Sequence, residues 1–321
     1  MKKLLLILIL SILSFASNSQ SNESTLDFIQ GYEAQKKGDM KKAKEMYSSS
    51  CDKNDFPSCG ILGNIYEKES EFSKAISLYE KACDGGFFLA CKSLGYLYIN
   101  GKNIEKNIEK AKEIYLKLCD NAEGVGCYNI GAMYVNAESF KQNYEKAYDF
   151  FERGCSLEDG MSCNELARMN YYGKGTKQDF VKASEYFSKA CDNLIQDGCS
   201  SLGNMNFDGI GVKQDYFKAR KLFVKTCDKG NLKDCTTLGH MYNLEYGGEK
   251  NHSKAKELYE KSCSKGYMEA CYYLGLWYEL GDAGINIDYS KAKEFYKKAC
   301  EGNHKESCEK FDLLNQNIPQ N

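Results

Sequence analysis

Proline is almost missing from this 321-residue chain, which has only Pro57 and Pro319. Few enforced breaks remain, and the abundance of Ala, Leu, Lys and Glu favours helices over sheets. After residue 15 no stretch approaches eighteen apolar residues, which excludes a helical membrane span from the rest of the chain. Charge of one sign is also missing: 43 Lys and Arg face 45 Asp and Glu, a formal net of −2. That balance argues against nucleic acid or a strongly acidic partner. Histidine is scarce, with His240, His252 and His304 only, so no metal or other cofactor is expected.

The amino terminus carries the one apolar run. MKKLLLILILSILSFA places two lysines before Leu4–Phe15, with Ser14 and Ala16 at the minus-three and minus-one positions of a cut after Ala16. This is the three-part pattern of a cleaved signal peptide. Twelve residues at about 1.5 Å each are too short for a hydrocarbon core of about 30 Å. The expectation is residues 1–16 as signal peptide, 17–26 as a short flexible segment, and a secreted or periplasmic product. Loss of Lys2 and Lys3 would take the charge from −2 to −4.

Cysteine is what the chain has in quantity. The sixteen fall into eight pairs, each eight residues apart: Cys51 and Cys59, Cys83 and Cys91, Cys119 and Cys127, Cys155 and Cys163, Cys191 and Cys199, Cys227 and Cys235, Cys263 and Cys271, Cys300 and Cys308. First cysteines recur at spacings of 32, 36, 36, 36, 36, 36 and 37, a period that signals a solenoid of short repeated units. Four residues after each of the first seven second cysteines stands a glycine, or Ala167. Eight residues before each first cysteine stands an alanine, followed at plus four by Tyr or Phe. Offsets of four and eight keep residues on one helix face, so each unit reads as two helices, the glycine helix and the alanine–aromatic helix. Four residues before each alanine comes Asp39, Glu71, Asn107, Asn143, Asp179, Asp215, Asn251 or Asp288, all but Glu71 good helix caps. Gly86, Gly230 and Gly266 suit the left-handed residue that ends a helix, and the small positions should meet the large rings of the paired helix.

The stretches LGNMNFDGIGVKQDYFKARKLFVKTCDKG and LARMNYYGKGTKQDFVKASEYFSKACD resemble Sel1-like repeats, relatives of the tetratricopeptide repeat with a longer loop between paired helices. With a cysteine pair in every unit and an export signal, residues 27–314 resemble the Helicobacter cysteine-rich protein family. The resemblance implies an all-α fold, a right-handed solenoid of about eight helix pairs with a closing helix, and residues 315–321 as a disordered tail. The first two units are four residues shorter, closer to tetratricopeptide length. Some family members are described as penicillin-binding proteins or weak β-lactamases.

Three chemistries compete for the cysteine pairs. A disulfide could close each hairpin between neighbouring units, since tight turns bring Cα atoms within about 4.4–6.8 Å and an exported compartment permits oxidation. Two thiolates per hairpin leave a zinc site half empty, and redox motifs usually hold their thiols two residues apart. The disulfide is favoured and the other two stay open.

In tetratricopeptide-like units the first helices line a concave groove. Counting from the glycine, the stripe beside the core presents Lys92, Tyr96, Tyr128, Asn164, Arg168, Tyr171, Ser200, Asn204, His240 and Tyr272, with the centre at Tyr128, Asn164, Arg168 and Asn204. These types offer contact area and hydrogen bonds together, so the expected ligand is a peptide, a protein or a peptidoglycan-derived fragment bound by a monomer. His240 reads as a groove-lining imidazole rather than a general base. GKGTKQD and GIGVKQD lack the strand and glycine pattern of a phosphate loop. The family attribution makes a β-lactam ligand the alternative, but Ser253-x-x-Lys256, Ser262-x-x-Lys265 and Ser290-x-x-Lys293 all arise from repeat positions. Neither Ser-Asp-Asn nor Lys-Thr-Gly occurs. No catalytic residue can be assigned.

Overall fold

The structure, a computed structural model, describes residues 19–101, 104–136 and 141–317. The expected signal peptide and the end of the expected tail lie outside them. Every regular element among the described residues is an α-helix. The chain divides into two compact units, Met1–Leu157 and Glu158–Asn321. The first holds α1 (Ser19–Lys36), α2 (Met40–Asp52), α3 (Phe56–Lys68), α4 (Phe72–Asp84), α5 (Phe88–Asn100), α6 (Ile108–Asp120), α7 (Gly124–Val135) and α8 (Tyr144–Ser156). The second holds α9 (Gly160–Tyr172), α10 (Phe180–Asp192), α11 (Gln196–Asp208), α12 (Tyr216–Asp228), α13 (Leu232–Asn243), α14 (His252–Ser264), α15 (Met268–Leu280), α16 (Tyr289–Glu301) and α17 (Lys305–Asn317). Within each unit a helix packs chiefly on the helices before and after it, which is the contact pattern of a helical repeat solenoid.

Two boundaries differ from the sequence reading. Residues 19–26, expected as a flexible segment, belong to α1, and 315–317 of the expected tail extend α17. In α1 the reason is visible: Ser24 and Asp27 are held by α2, through Ser50 Oγ donating to the Ser24 carbonyl at 2.8 Å and Lys53 Nζ to Asp27 Oδ2 at 2.8 Å.

The caps form as their chemistry requires. Asp39, Asn107, Asn143, Asp179, Asp215, Asn251 and Asp288 each accept the backbone N–H three residues on, while Glu71 makes no side-chain cap bond. Its extra methylene carries the carboxylate past the first-turn donors. The repeat alanines, from Ala43 to Ala292, are fully buried. Small residues meet large rings: a Cβ on Gly63 would lie 2.8 Å from Tyr79, and one on Gly203 would lie 2.9 Å from Phe223. Helix axes can therefore approach closely only where the side chain stops at hydrogen.

Each second helix ends in a turn whose third residue after the cysteine is left-handed. Gly86, Gly230 and Gly266 take this place at no steric cost, but Ala122 (φ 61°) and Leu194 (φ 65°) take it with a side chain. These turns set the cysteines face to face. In seven of the pairs the Cα atoms stand 4.5 to 4.8 Å apart, inside the range a disulfide needs. Cys155 and Cys163 are disulfide-bonded as well, so all sixteen cysteines are oxidised and none is left as a thiolate for metal or redox chemistry.

Candidate functional site

The aromatic of each second helix reaches under the first-helix face, and whether it ends in a hydroxyl decides what that face can do. In the first unit Tyr47 donates to Gln35 Oε1 at 2.8 Å and Tyr79 to Glu67 Oε2 at 2.7 Å. In the second unit Tyr259 bonds His240 Nδ1 at 2.9 Å and Tyr296 donates to Glu279 Oε2 at 2.5 Å. Burial is the largest cause that pushes these phenols up, Tyr47 to about 12, so they stay neutral donors. Three consecutive repeats carry Phe151, Phe187 and Phe223 instead, and a phenyl ring offers no such bond.

Above Phe187 the first-helix face opens into a recess of about 370 Å³ between α9 and α11. Asn164, Arg168, Tyr171 and Tyr172 form its α9 wall. Asp197, Ser200, Ser201, Asn204 and Asp208 form the α11 wall, and Lys233 of α13 closes one end. Asn164 is only 3% exposed, and its amide oxygen has no hydrogen-bond partner. A buried amide left so costs on the order of 1–3 kcal/mol. Arg168 stays largely in solvent, with Glu165 3.9 Å away. Acids and bases face one another across the recess.

Ser200 connects the recess to a buried carboxylate. Its Oγ donates to Asp234 Oδ1 at 2.9 Å, while Oδ2 of this 1%-exposed residue has no partner. Burial raises the Asp234 pKa, opposed by the Ser200 hydrogen bond and by the charge of Lys233. The equivalent places in the other repeats hold Ser, Ala or Gly: Ser58, Ala90, Gly126, Ser162, Gly198, Ala270 and Ser307. This departure was readable from the repeat register and was missed, as were Asp197, Asp208 and Lys233.

Three of the four expected central residues, Asn164, Arg168 and Asn204, thus meet in one recess, together with Tyr171 and Ser200. Tyr128 belongs to the first unit and tilts against Phe151 with ring centroids 5.9 Å apart. Lys92 and Tyr96 stand exposed on α5. His240 is wedged between Tyr259 and Tyr273, the latter with ring centroids 4.0 Å apart, and burial pulls its pKa down. That makes it a neutral packing partner, in keeping with a lining role. Tyr272 packs on Tyr296 and His304. Of the Ser-x-x-Lys serines, Ser253 and Ser290 lie exposed in first helical turns, and Ser262 is buried with its hydroxyl on the Leu232 carbonyl. Among the described residues no group of three or more His, Cys, Asp or Glu could hold a metal ion.

The helical hairpins with a short residue facing each ring define a repeat protein of the tetratricopeptide-like class. More narrowly, the Sel1 repeat model matches residues 30–55, 89–122, 124–159, 160–193, 196–231, 236–267 and 269–304, and the chain belongs to the Sel1 repeat family. Residues 56–84, one of the short units, match a tetratricopeptide repeat instead. In α3–α4 three residues join the helices, against seven between α9 and α10. Among solved structures, a protective antigen of uropathogenic Escherichia coli with the same repeat fold superposes with a TM-score of 0.80 at 23% identity, over 94% of this chain and 66% of that one. The chain thus spans just under two thirds of that antigen's length. A Sel1 repeat protein of Oxalobacter formigenes gives 0.62 at 22% identity, over 74% and 98%. Cysteine-rich protein B of Helicobacter pylori is 33% identical over 43% of this chain and 99% of its own, with a TM-score of 0.35. No protein of curated function matches significantly.

Proposed function

We propose that the chain is an exported, disulfide-stapled scaffold of the cysteine-rich Sel1 kind that binds an extended peptide segment across α9 and α11. One observation carries this reading: Asn164, Arg168 and Asn204 line a recess floored by Phe187, so the internal hydroxyl that engages groove side chains in tyrosine repeats is absent. A peptide would supply what is missing, a backbone donor or acceptor for the Asn164 amide and charges for Arg168 and for Asp197 or Asp208. Export is supported by the leader pattern and by eight disulfides, which fit an oxidising environment outside the cytoplasm. The 33% identity with the Helicobacter protein supports the cysteine-rich assignment. Nothing in the serine geometry favours β-lactam hydrolysis over this reading.

The test places a photocrosslinking residue at Asn204 in the exported chain, with a control at Lys92. Peptide adducts at 204 that disappear with Arg168→Ala are expected. Equal labelling at both positions, or labelling indifferent to Arg168, removes the proposal. Amino-terminal sequencing of the exported chain checks the cut after Ala16.

A further inference from the structure

A second recess, of about 480 Å³, lies elsewhere in the second unit, between α12 and the loop that leads into α14. Arg220 and Lys221 of α12 line it with Lys250 and Lys254. None of these four cations is in an ion pair, and the one carboxylate on the rim, Glu249, is exposed. Four positive charges against one thus gather in a chain whose formal net is −2. The recess is ordered around its cations. The Arg220 guanidinium stacks 3.8 Å from the Tyr242 ring centroid and donates to the Glu249 carbonyl at 3.4 Å. Gly248 approaches so closely that a Cβ there would stand 2.3 Å from Arg220 Nη1. The helix α14 also begins at this rim, adding the positive end of its dipole.

The repeat register shows that one of these charges, Lys221, is particular to this unit. Two residues after the repeat alanine stand Glu45, Ser77, Glu113, Asp149, Glu185, Lys221, Glu257 and Glu294: acidic in six of eight, reversed only at Lys221. Before the helix cap the three preceding units have Gln142, Gln178 and Gln214, where this one has Lys250, as the unit capped by Asn107 has Lys106. The lysine at the third helical position recurs in every unit, and acidic caps pair it elsewhere, as in Lys74–Glu71 and Lys291–Asp288. Here, as at Asn107 and Asn143, the cap is a neutral Asn251, so no cap carboxylate faces Lys254. Lys221 thus adds, beside Lys250 and Lys254, a charge that the unit with Lys106 and Lys110 lacks, since Glu113 and not a lysine stands two residues after its alanine.

We infer that this recess binds a phosphate monoester, carried by a sugar or by a lipid headgroup. A guanidinium fixed in its plane presents parallel N–H donors that match phosphate oxygens, and the flanking lysines offset a second charge. The volume exceeds what phosphate alone fills and lies within the usual range for small-molecule sites. Phe217, 58% exposed on the same rim, has the Lys221 ammonium 4.4 Å from its ring centroid, so ring and charge are presented together. The ligand's source is either a free sugar phosphate or the headgroup of an anionic lipid, and the shared phosphate chemistry is what the site reads.

The experiment uses the full exported chain. Calorimetry with glucose 1,6-bisphosphate, with glucose as control, addresses the free source; sedimentation with phosphatidylcholine vesicles with and without phosphatidic acid addresses the headgroup. Lys221→Glu and Lys250→Gln each restore the residue other units carry, so the fold should tolerate them, and circular dichroism verifies that. Saturable binding of bisphosphate but not glucose, weakened about tenfold or more by either variant, supports the free source. Vesicle binding that requires phosphatidic acid and falls with the same variants supports the headgroup. Binding of neither probe, or binding indifferent to both variants, overturns the inference.

Discussion

The two units build similar recesses on their first-helix faces and furnish them differently. In the first, about 350 Å³ is lined by Phe28, Tyr32, Tyr47, Ile61, Tyr79 and Phe87, and the phenols reach out of the core to Gln35 and Glu67. In the second, about 370 Å³ sits over Phe187 among Asn164, Arg168 and Asn204. A single oxygen separates the two designs. Where the hydroxyl of Tyr47, Tyr79, Tyr259 or Tyr296 reaches the groove, a groove side chain is consumed internally. Where it does not, they are left to the solvent or a ligand. The same backbone thus serves as a self-satisfied unit or as a receptive one.

The strongest challenge to this comparison is removal of a staple. Replacing Cys83 and Cys91 with Ser, or Cys191 and Cys199, should each cost about 2–5 kcal/mol in urea unfolding. If the units are energetically separate, each variant shifts one transition. Shifts shared equally by both would erase the division.

Next comes the exchange of the oxygen itself. Tyr79→Phe should lower stability by about 1 kcal/mol through loss of the Glu67 bond. Phe187→Tyr should place a hydroxyl in the recess and weaken crosslinking at position 204, with little change in melting. Unchanged labelling would break the argument that the phenyl ring keeps the groove free.

The buried acid gives a pH-dependent effect. Burial holds the Asp234 pKa above its ordinary value, so the folded chain retains the proton longer than the unfolded one. The wild type then loses stability as pH rises through that raised value. Asp234→Ser, the residue found in three other units, should stabilise by about 1 kcal/mol at pH 7 and by progressively less on acidification. It should also weaken ligand capture by releasing Ser200. A gain independent of pH would show that the carboxylate titrates alike in the folded and unfolded chain.

The smallest effects test the turns. Ala122→Gly in the first unit and Leu194→Gly in the second relieve left-handed side chains, and each should stabilise by about 0.5–1 kcal/mol in thermal melts. Opposite signs would mean that 68%-exposed Leu194 packs to more purpose than its position indicates.

Most of the fold was legible because each repeat copies its local chemistry. The cap at Asp179, the alanine at 183, the ring at 187 and the cysteine at 191 are all short-range signals, and Glu71 failed as a cap for the reason its length suggested. The recess was half legible. Asn164, Arg168 and Asn204 follow from position on one helix face, whereas Asp197, Asp208 and Lys233 enter it from a helix start, a helix end and the next unit. Their arrival depends on how neighbouring helices cross, which no single-helix period encodes. Residues 19–26 read as a segment before the solenoid because their own pattern marks no helix, whereas the bond from Ser50 to the Ser24 carbonyl comes from the neighbouring α2.

The disulfides bridge only eight residues apiece, and this has a consequence for damage. A protease that nicks the chain between Cys83 and Cys91 severs the backbone without parting the fragments. Such a molecule runs intact on a gel until a reductant is added, so accumulated wear passes unnoticed in any assay that keeps sulfur oxidised.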